Sequence, residues 1–234
     1  MVIKKIGTLY LDGQAQQVGA EYDGAKISFG PPVPGKEIEW VSINNLLIAN
    51  RCVCCNISWE QLNSQGLVFG IPVQIGKEFY LCRCLKVGAK EGLSKNEWED
   101  AVNTTMDEDR FWHWGDQYFW GQENVEVDRR AVRGGHSARY WGSCPKSYRD
   151  IHVGFRPVFE YLGCSKQKPK DLEGKVVKLY GRDGITLTGK LLSFDDYDLV
   201  LSIGSPLPPM CPWLQRYGKN IIIDQAKILW LKEE

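Results

Sequence analysis

Between positions 136 and 152 the chain concentrates side chains suited to holding a ligand: His136, Ser137, Arg139, Tyr140, Trp141, Lys146, Ser147, Tyr148 and Arg149. Tyrosine and tryptophan offer large rigid faces with few torsions to freeze, and serine adds adaptable hydrogen bonding, the mixture found in recognition loops. Aromatic faces can stack on sugar rings, while Arg139 or Arg149 can pair with a phosphate or carboxylate. The same residues admit a structural role, with Tyr140 and Trp141 as core plugs and Arg139 in an ion pair. Seven of them are taken as candidate ligand-binding residues: His136, Ser137, Arg139, Tyr140, Trp141, Tyr148 and Arg149.

Catalysis has less to work with. The three histidines, His113, His136 and His152, lack the short spacings of metal-binding motifs. Neither a Gly-Lys-Ser/Thr phosphate loop nor a Gly-x-Ser-x-Gly elbow occurs. The expectation is a non-catalytic binding protein without a cofactor. Cys52 and Cys54 are spaced to share one face of a strand, as are Cys82 and Cys84. That leaves a four-thiolate zinc site or buried thiols; the spacing is tighter than a Cys-x-x-Cys turn and favours thiols. The acidic run Asp107-Glu-Asp109 lacks the spacing of a calcium loop and reads as a solvated turn.

A strand through Ala131 and Val132 enters the pair Gly134-Gly135, and a second strand returns through Val153, Phe155, Val158 and Phe159. Two glycines allow positive φ and close backbone approach where a loop leaves a sheet. This frame would display the 136–152 loop.

The segments Arg133-Gly-Gly-His-Ser-Ala-Arg and Val153-Gly-Phe-Arg-Pro resemble the end of the C-type lectin-like fold in its formylglycine-generating-enzyme-like branch. Adding Gly66-Leu-Val-Phe-Gly, Asn96-Glu-Trp-Glu and Phe111-Trp-His-Trp, residues from about Ile43 to Leu162 resemble a group of phage and prophage proteins of Gram-positive bacteria. The resemblance implies ligand-facing loops bracketed by two strands, with Arg133 and Arg156 structural. The formylglycine-generating relatives use a cysteine pair near the last strand. Here Cys144 has no obvious second cysteine before Gly154, so the oxidase activity is not implied.

Composition sets wider bounds. A length of 234 residues suits one large or two modest domains. The charges balance, 29 against 29, so no global field draws the chain to nucleic acid or an anionic membrane. No apolar run is long enough to cross a bilayer as a helix and no signal-peptide core follows the first residue, so cytoplasmic synthesis without membrane insertion is expected. Any exterior site would then be reached by another route, such as incorporation in a virion.

The chain is expected to be α+β and mostly β, in four stretches. Residues 1–39 carry short strands, with a hairpin signal at Asp12-Gly13 and a stiff break at Pro31–Gly35. They either form their own unit or complete the next sheet. Residues 40–163 make the lectin-like body. In it Ser58 opens a short helix, Gly66–Pro72 reads as a strand, and Ser94 caps a helix ending near Thr105. Trp112, Trp114 and Trp120 are read as core. Residues 164–171 are a lysine-rich linker.

Residues 172–234 hold five short strands whose Val176, Leu179, Leu187, Leu191, Leu199 and Leu201 would fill a small barrel. Gly189-x-Leu191, Phe194-Asp195 and Leu199-x-Leu201 resemble the Sm-like small barrel, which forms oligomers and binds RNA. Asp198 stands near the position where that family places Asn, and a carboxylate facing nucleic acid is a poor choice. Homo-oligomer assembly is therefore the stronger expectation for this part. For the whole chain the expected function is recognition of a host surface ligand, such as a glycan, by a phage- or prophage-encoded protein. The alternative is an intracellular phage protein that oligomerises or binds nucleic acid or nucleotide through its barrel and interferes with a host system.

Overall fold

A computed structural model of the chain describes residues 3–92, 95–106, 108–115, 117–204 and 211–234. Strands hold 50% of the described residues against 11% in helices, so the protein is mostly β within an α+β class. It divides into two compact units, Met1–Tyr161 and Leu162–Glu234.

The first unit opens with β1 (Ile3–Leu11), β2 (Gln14–Ala15), β3 (Ala20–Glu21), β4 (Ile27–Gly30), β5 (Glu37–Ile43), β6 (Leu46–Ala49) and β7 (Cys54–Cys55). It continues through α1 (Trp59–Ser64), β8 (Ile71–Ile75), β9 (Glu78–Cys84), α2 (Glu97–Thr105) and α3 (Asp109–Trp112). It closes with β10 (Tyr118–Glu126), β11 (Arg129–Gly134), β12 (Trp141–Pro145), β13 (Val153–Phe155) and β14 (Pro157–Gly163).

Among the described residues these strands form two sheets. The larger has the order β2-β1-β5-β6-β14-β9-β8, with β4 also paired to β1, and the smaller the order β12-β11-β10-β13-β7-β3. The N-terminal strands are built into both sheets. β1 pairs antiparallel with β5, placing Ile3 opposite Val41, and β3 pairs parallel with β7. The Pro31–Gly35 break therefore lies between two strands that both pair with β1.

Strand alternation supplies two cores. Phe119 and Trp120 are neighbours on β10, yet Phe119 joins Trp98, Trp112 and Val41 in one core while Trp120 joins Trp40, Phe29 and Phe159 in the other. Trp112 and Trp120 are fully buried, as expected for core residues, and Trp114 packs half-buried against the first of these cores. Arg156 is also fully buried. Its guanidinium donates to the carbonyls of Asn50 at 3.1 Å and Trp112 at 2.7 Å, and lies 4.7 Å from the Phe119 ring centre.

Several local expectations change. Ser58 does cap α1, exchanging hydrogen bonds with Gln61 in a capping box. For α2 the expected cap, Ser94, lies outside the described residues, and Asn96 caps the helix by accepting from Glu99 N at 2.9 Å. Glu97 instead forms a two-pronged pair with Arg83. Residues 66–69 form turns that follow α1, so the strand expected from Gly66 begins at Ile71. The acidic run leads into α3, with Asp107 outside the described residues.

Cys52 and Cys54 do not share a face. Cys52 precedes β7 in irregular backbone, where the two-residue period fails, and the two thiols enter different cores. Cys82 and Cys84, both on β9, share a core as their spacing implies.

The second unit holds a 3-10 turn (Pro169–Asp171), β15 (Val176–Gly181), β16 (Thr186–Phe194), β17 (Asp198–Ser202), β18 (Leu214–Tyr217), β19 (Asn220–Asp224) and β20 (Ile228–Glu233). Its sheet has the order β18-β19-β17-β16-β15-β20, with antiparallel pairings throughout. Leu179, Leu187, Leu191, Leu199 and Leu201 fill its core as anticipated. Val176 does not: it is half exposed and Val177 points inward, because a shift of one residue on a strand reverses the face.

Candidate functional site

The 136–152 segment is not one long loop. β12 lies within it and pairs antiparallel with β11, setting Trp141 opposite Arg133, Gly142 opposite Val132 and Cys144 opposite Arg130. Partners directly opposite in a ladder point to the same face, and neighbours along a strand to opposite faces. Trp141 and Arg133 therefore share one side of the sheet, and Val132 and Cys144 the other. The second side carries a cleft of about 540 Å³.

That cleft is lined by Tyr118 and Val132 from the sheet, Gly135, His136 and Tyr140 before β12, and Ser143 and Cys144 on it. Tyr148, Asp150, His152 and Val153 complete it. Three rings form one corner. The Tyr118 and Tyr140 centres are 5.6 Å apart, His136 and Tyr140 5.0 Å, and Tyr118 and His136 5.7 Å, with interplanar angles of 63°, 84° and 87°. They meet edge to face, the arrangement favoured by aromatic quadrupoles. The Tyr118 hydroxyl and His136 Nε2 are 2.9 Å apart.

The glycine pair makes this corner. Gly135 has φ +77°, and a Cβ there would lie 2.4 Å from the Tyr118 ring. Only glycine takes this backbone conformation without strain while leaving room for the ring. Its N–H donates to the carbonyls of Trp114 and Gln117, which fixes the loop at the edge of the cleft.

Burial is the main cause raising the Tyr118 phenol above its ordinary range, and Tyr140 and Cys144 add to it. Burial also raises the Cys144 thiol, against the pull of the Arg129 guanidinium. The thiol is thus the protonated, weakly nucleophilic form at neutral pH. Asp150 brings a carboxylate to the cleft, and its Oδ1 accepts from His152 N at 2.8 Å. The cleft offers aromatic faces, hydroxyls and one carboxylate.

Of the seven candidate residues, His136, Tyr140 and Tyr148 line the cleft. The others do not. Arg139 reaches α2, donating to Glu99 at 3.0 Å and Asn103 at 2.8 Å. Trp141 packs against the core on the opposite side and donates Nε1–H to the Gly88 carbonyl at 2.9 Å. Arg149 donates to Asn56 Oδ1 at 3.3 Å and the Tyr22 carbonyl at 3.4 Å. Ser137 is half-buried and turns the backbone, its carbonyl accepting from Tyr140 N. Sequence reasoning passed over Tyr118, Ser143, Cys144, Asp150 and His152. The alternation that places Cys144 is readable only once β12 is recognised as a strand.

Cys52, Cys54, Cys82 and Cys84 are buried thiols, and among the described residues no three His, Cys, Asp or Glu side chains are placed to hold a metal ion. In the second unit a cavity of about 510 Å³ is lined by Asp183, Asp198, Trp213, Asp224 and Lys227, among others. Trp213 Nε1–H donates to Asp183 at 2.6 Å. Three carboxylates against one lysine make this a poor phosphate site. No protein-family model, curated protein or solved structure matches the chain.

Proposed function

We propose that this chain is a non-catalytic, phage- or prophage-encoded binding protein of C-type lectin-like architecture. Its Tyr118–His136–Tyr140 cleft receives a ligand displayed on a host surface, with a glycan as the leading class. The observation that carries this reading is the aromatic corner set beside Tyr148 and Asp150 in an open cleft of about 540 Å³. Aromatic walls with a few polar groups are the usual make-up of a small-ligand site. The raised Cys144 thiol supports binding over nucleophilic chemistry.

Adsorption of labelled protein to intact Gram-positive cells tests the reading, with a His136→Ala, Tyr140→Ala variant of verified fold beside it. Saturable adsorption that the variant loses is the expected result. No adsorption across a broad strain panel overturns surface recognition.

The second unit supports a role of its own in assembly. One antiparallel sheet around a single leucine-rich core favours a small Sm-like barrel, and the acidic lining of its cavity favours self-association over nucleic-acid contact. Sedimentation of the full chain tests this: a defined oligomer is expected, and a monomer at all concentrations counts against it.

A further inference from the structure

We infer that the group seated in the cleft is an alkylated ammonium cation, such as the trimethylammonium head of choline or an N-alkylated amine. The inference rests on the binding reading above and names the chemistry that the site selects. Three features carry it. First, the rings of Tyr118, His136 and Tyr140 stand nearly perpendicular to one another, at 63° to 87°. Rings set this way let a compact cation touch more than one of them, as in the aromatic cages that hold quaternary ammonium groups, whether the cation is free or carried on a glycan.

Second, Asp150 supplies the carboxylate of the lining, and neither lysine nor arginine is part of it. Third, the nearby guanidinium groups are already held in hydrogen bonds within the protein. Arg129 donates Nε–H to Ser143 Oγ at 2.9 Å and also binds the Ser143 carbonyl, and Arg149 binds Asn56 and Tyr22. A phosphate or carboxylate ligand would meet the Asp150 carboxylate with only the imidazoles of His136 and His152 to receive it, and His136 Nε2 is already bonded to the Tyr118 hydroxyl. An ammonium would meet aromatic faces and an anion.

Calorimetry on the full chain, with free choline and its neutral carbon isostere (a tert-butyl group in place of trimethylammonium), tests the inference. Choline is expected to bind and the isostere to bind about tenfold more weakly or not at all. Asp150→Asn keeps an acceptor for His152 N and Tyr140→Leu keeps bulk. Each should weaken choline about tenfold, with the circular dichroism spectrum unchanged.

Equal affinity for the isostere, or no binding of choline, overturns the inference. If the protein still adsorbs to cells, the surface-recognition reading stands alone. Choline binding without adsorption to any cell supports the inference and overturns surface recognition. Capture by phosphatidylcholine vesicles as well as by free choline supports a lipid-borne head group. Binding of free choline alone supports a soluble or polymer-borne amine.

Discussion

The Tyr118 hydroxyl lies 2.9 Å from His136 Nε2, and it ties a strand residue to the first side chain beyond the Gly134-Gly135 pair. Without that bond the exposed imidazole would be held only by its edge contacts with two rings. Tyr118→Phe keeps the ring wall and releases the imidazole. A hydrogen bond of this kind is worth about 1 kcal/mol net, so cleft affinity should fall about fivefold. The melting temperature should move by no more than about 2–4 °C, the shift that 1 kcal/mol produces in a unit as large as Met1–Tyr161. Calorimetry beside a thermal melt checks both, and unchanged affinity would remove His136 from the binding corner.

Arg139 and Trp141 belong to the other face of the sheet, and their variants should separate stability from binding. Trp141 is half-buried against a core and anchored to Gly88, so Trp141→Ala should cost about 2–4 kcal/mol. Arg139 is about half exposed, and its partner Glu99 is also held by Arg133 at 3.0 Å. Arg139→Ala should therefore cost less than about 1 kcal/mol. Urea unfolding measures the difference. Neither variant should change cleft affinity in protein that remains folded, and a loss of affinity with Arg139→Ala would return that residue to the site.

Arg156 should be the least replaceable charged side chain of the first unit. It is fully buried and its fork is spread over the carbonyls of Asn50 and Trp112, beside the Phe119 ring. Removing it leaves buried carbonyls without donors, so Arg156→Leu should lose about 3–5 kcal/mol. Arg156→Lys should rescue little, because a single ammonium cannot reproduce the planar fork. Against a total stability of about 5–15 kcal/mol, either variant should show poor soluble yield and a lowered urea midpoint. A midpoint unchanged by Arg156→Leu would refute the structural role.

The parts legible in the sequence are those set by local chemistry. Asp12 and Gly13 both take positive φ in the β1–β2 turn, as their pairing implied. Ser58 with Gln61 caps α1, and the leucines of the second unit alternate inward. Features set by long-range pairing were less legible. β12 holds Gly142, Ser143 and Cys144, none of which announces a strand, and it forms because β11 offers an edge. Missing that strand hid which face each residue of the 136–152 segment takes. Proximity in the chain therefore groups Trp141 and Arg139 with His136 and Tyr140 and leaves out Tyr118, eighteen or more positions away. Val176 and Val177 show the same limit on a small scale, since both are apolar and only the pairing with β16 decides which turns inward.

The cysteines give the last prediction. Burial pushes the Cys52 thiol from 9.0 up to about 11, and raises Cys82 and Cys84 as well. In the folded chain a maleimide should label exposed Cys164 first and the half-buried Cys144 and Cys211 more slowly. The five buried thiols should react only after denaturant is added. The same burial sets an alkaline limit. Below about pH 9 Cys52 is protonated in both the folded and unfolded states, and its neutral form costs the fold nothing. Above that pH the unfolded thiol ionises while the folded one keeps its proton, so the unfolded state binds fewer protons and stability falls as pH rises. Between about pH 9 and about 11 this one residue should remove on the order of 2–3 kcal/mol. Urea midpoints that decline over this window, and decline less in Cys52→Ser relative to its own neutral-pH value, are the expected result. A flat profile would mean that the thiol is not buried as described.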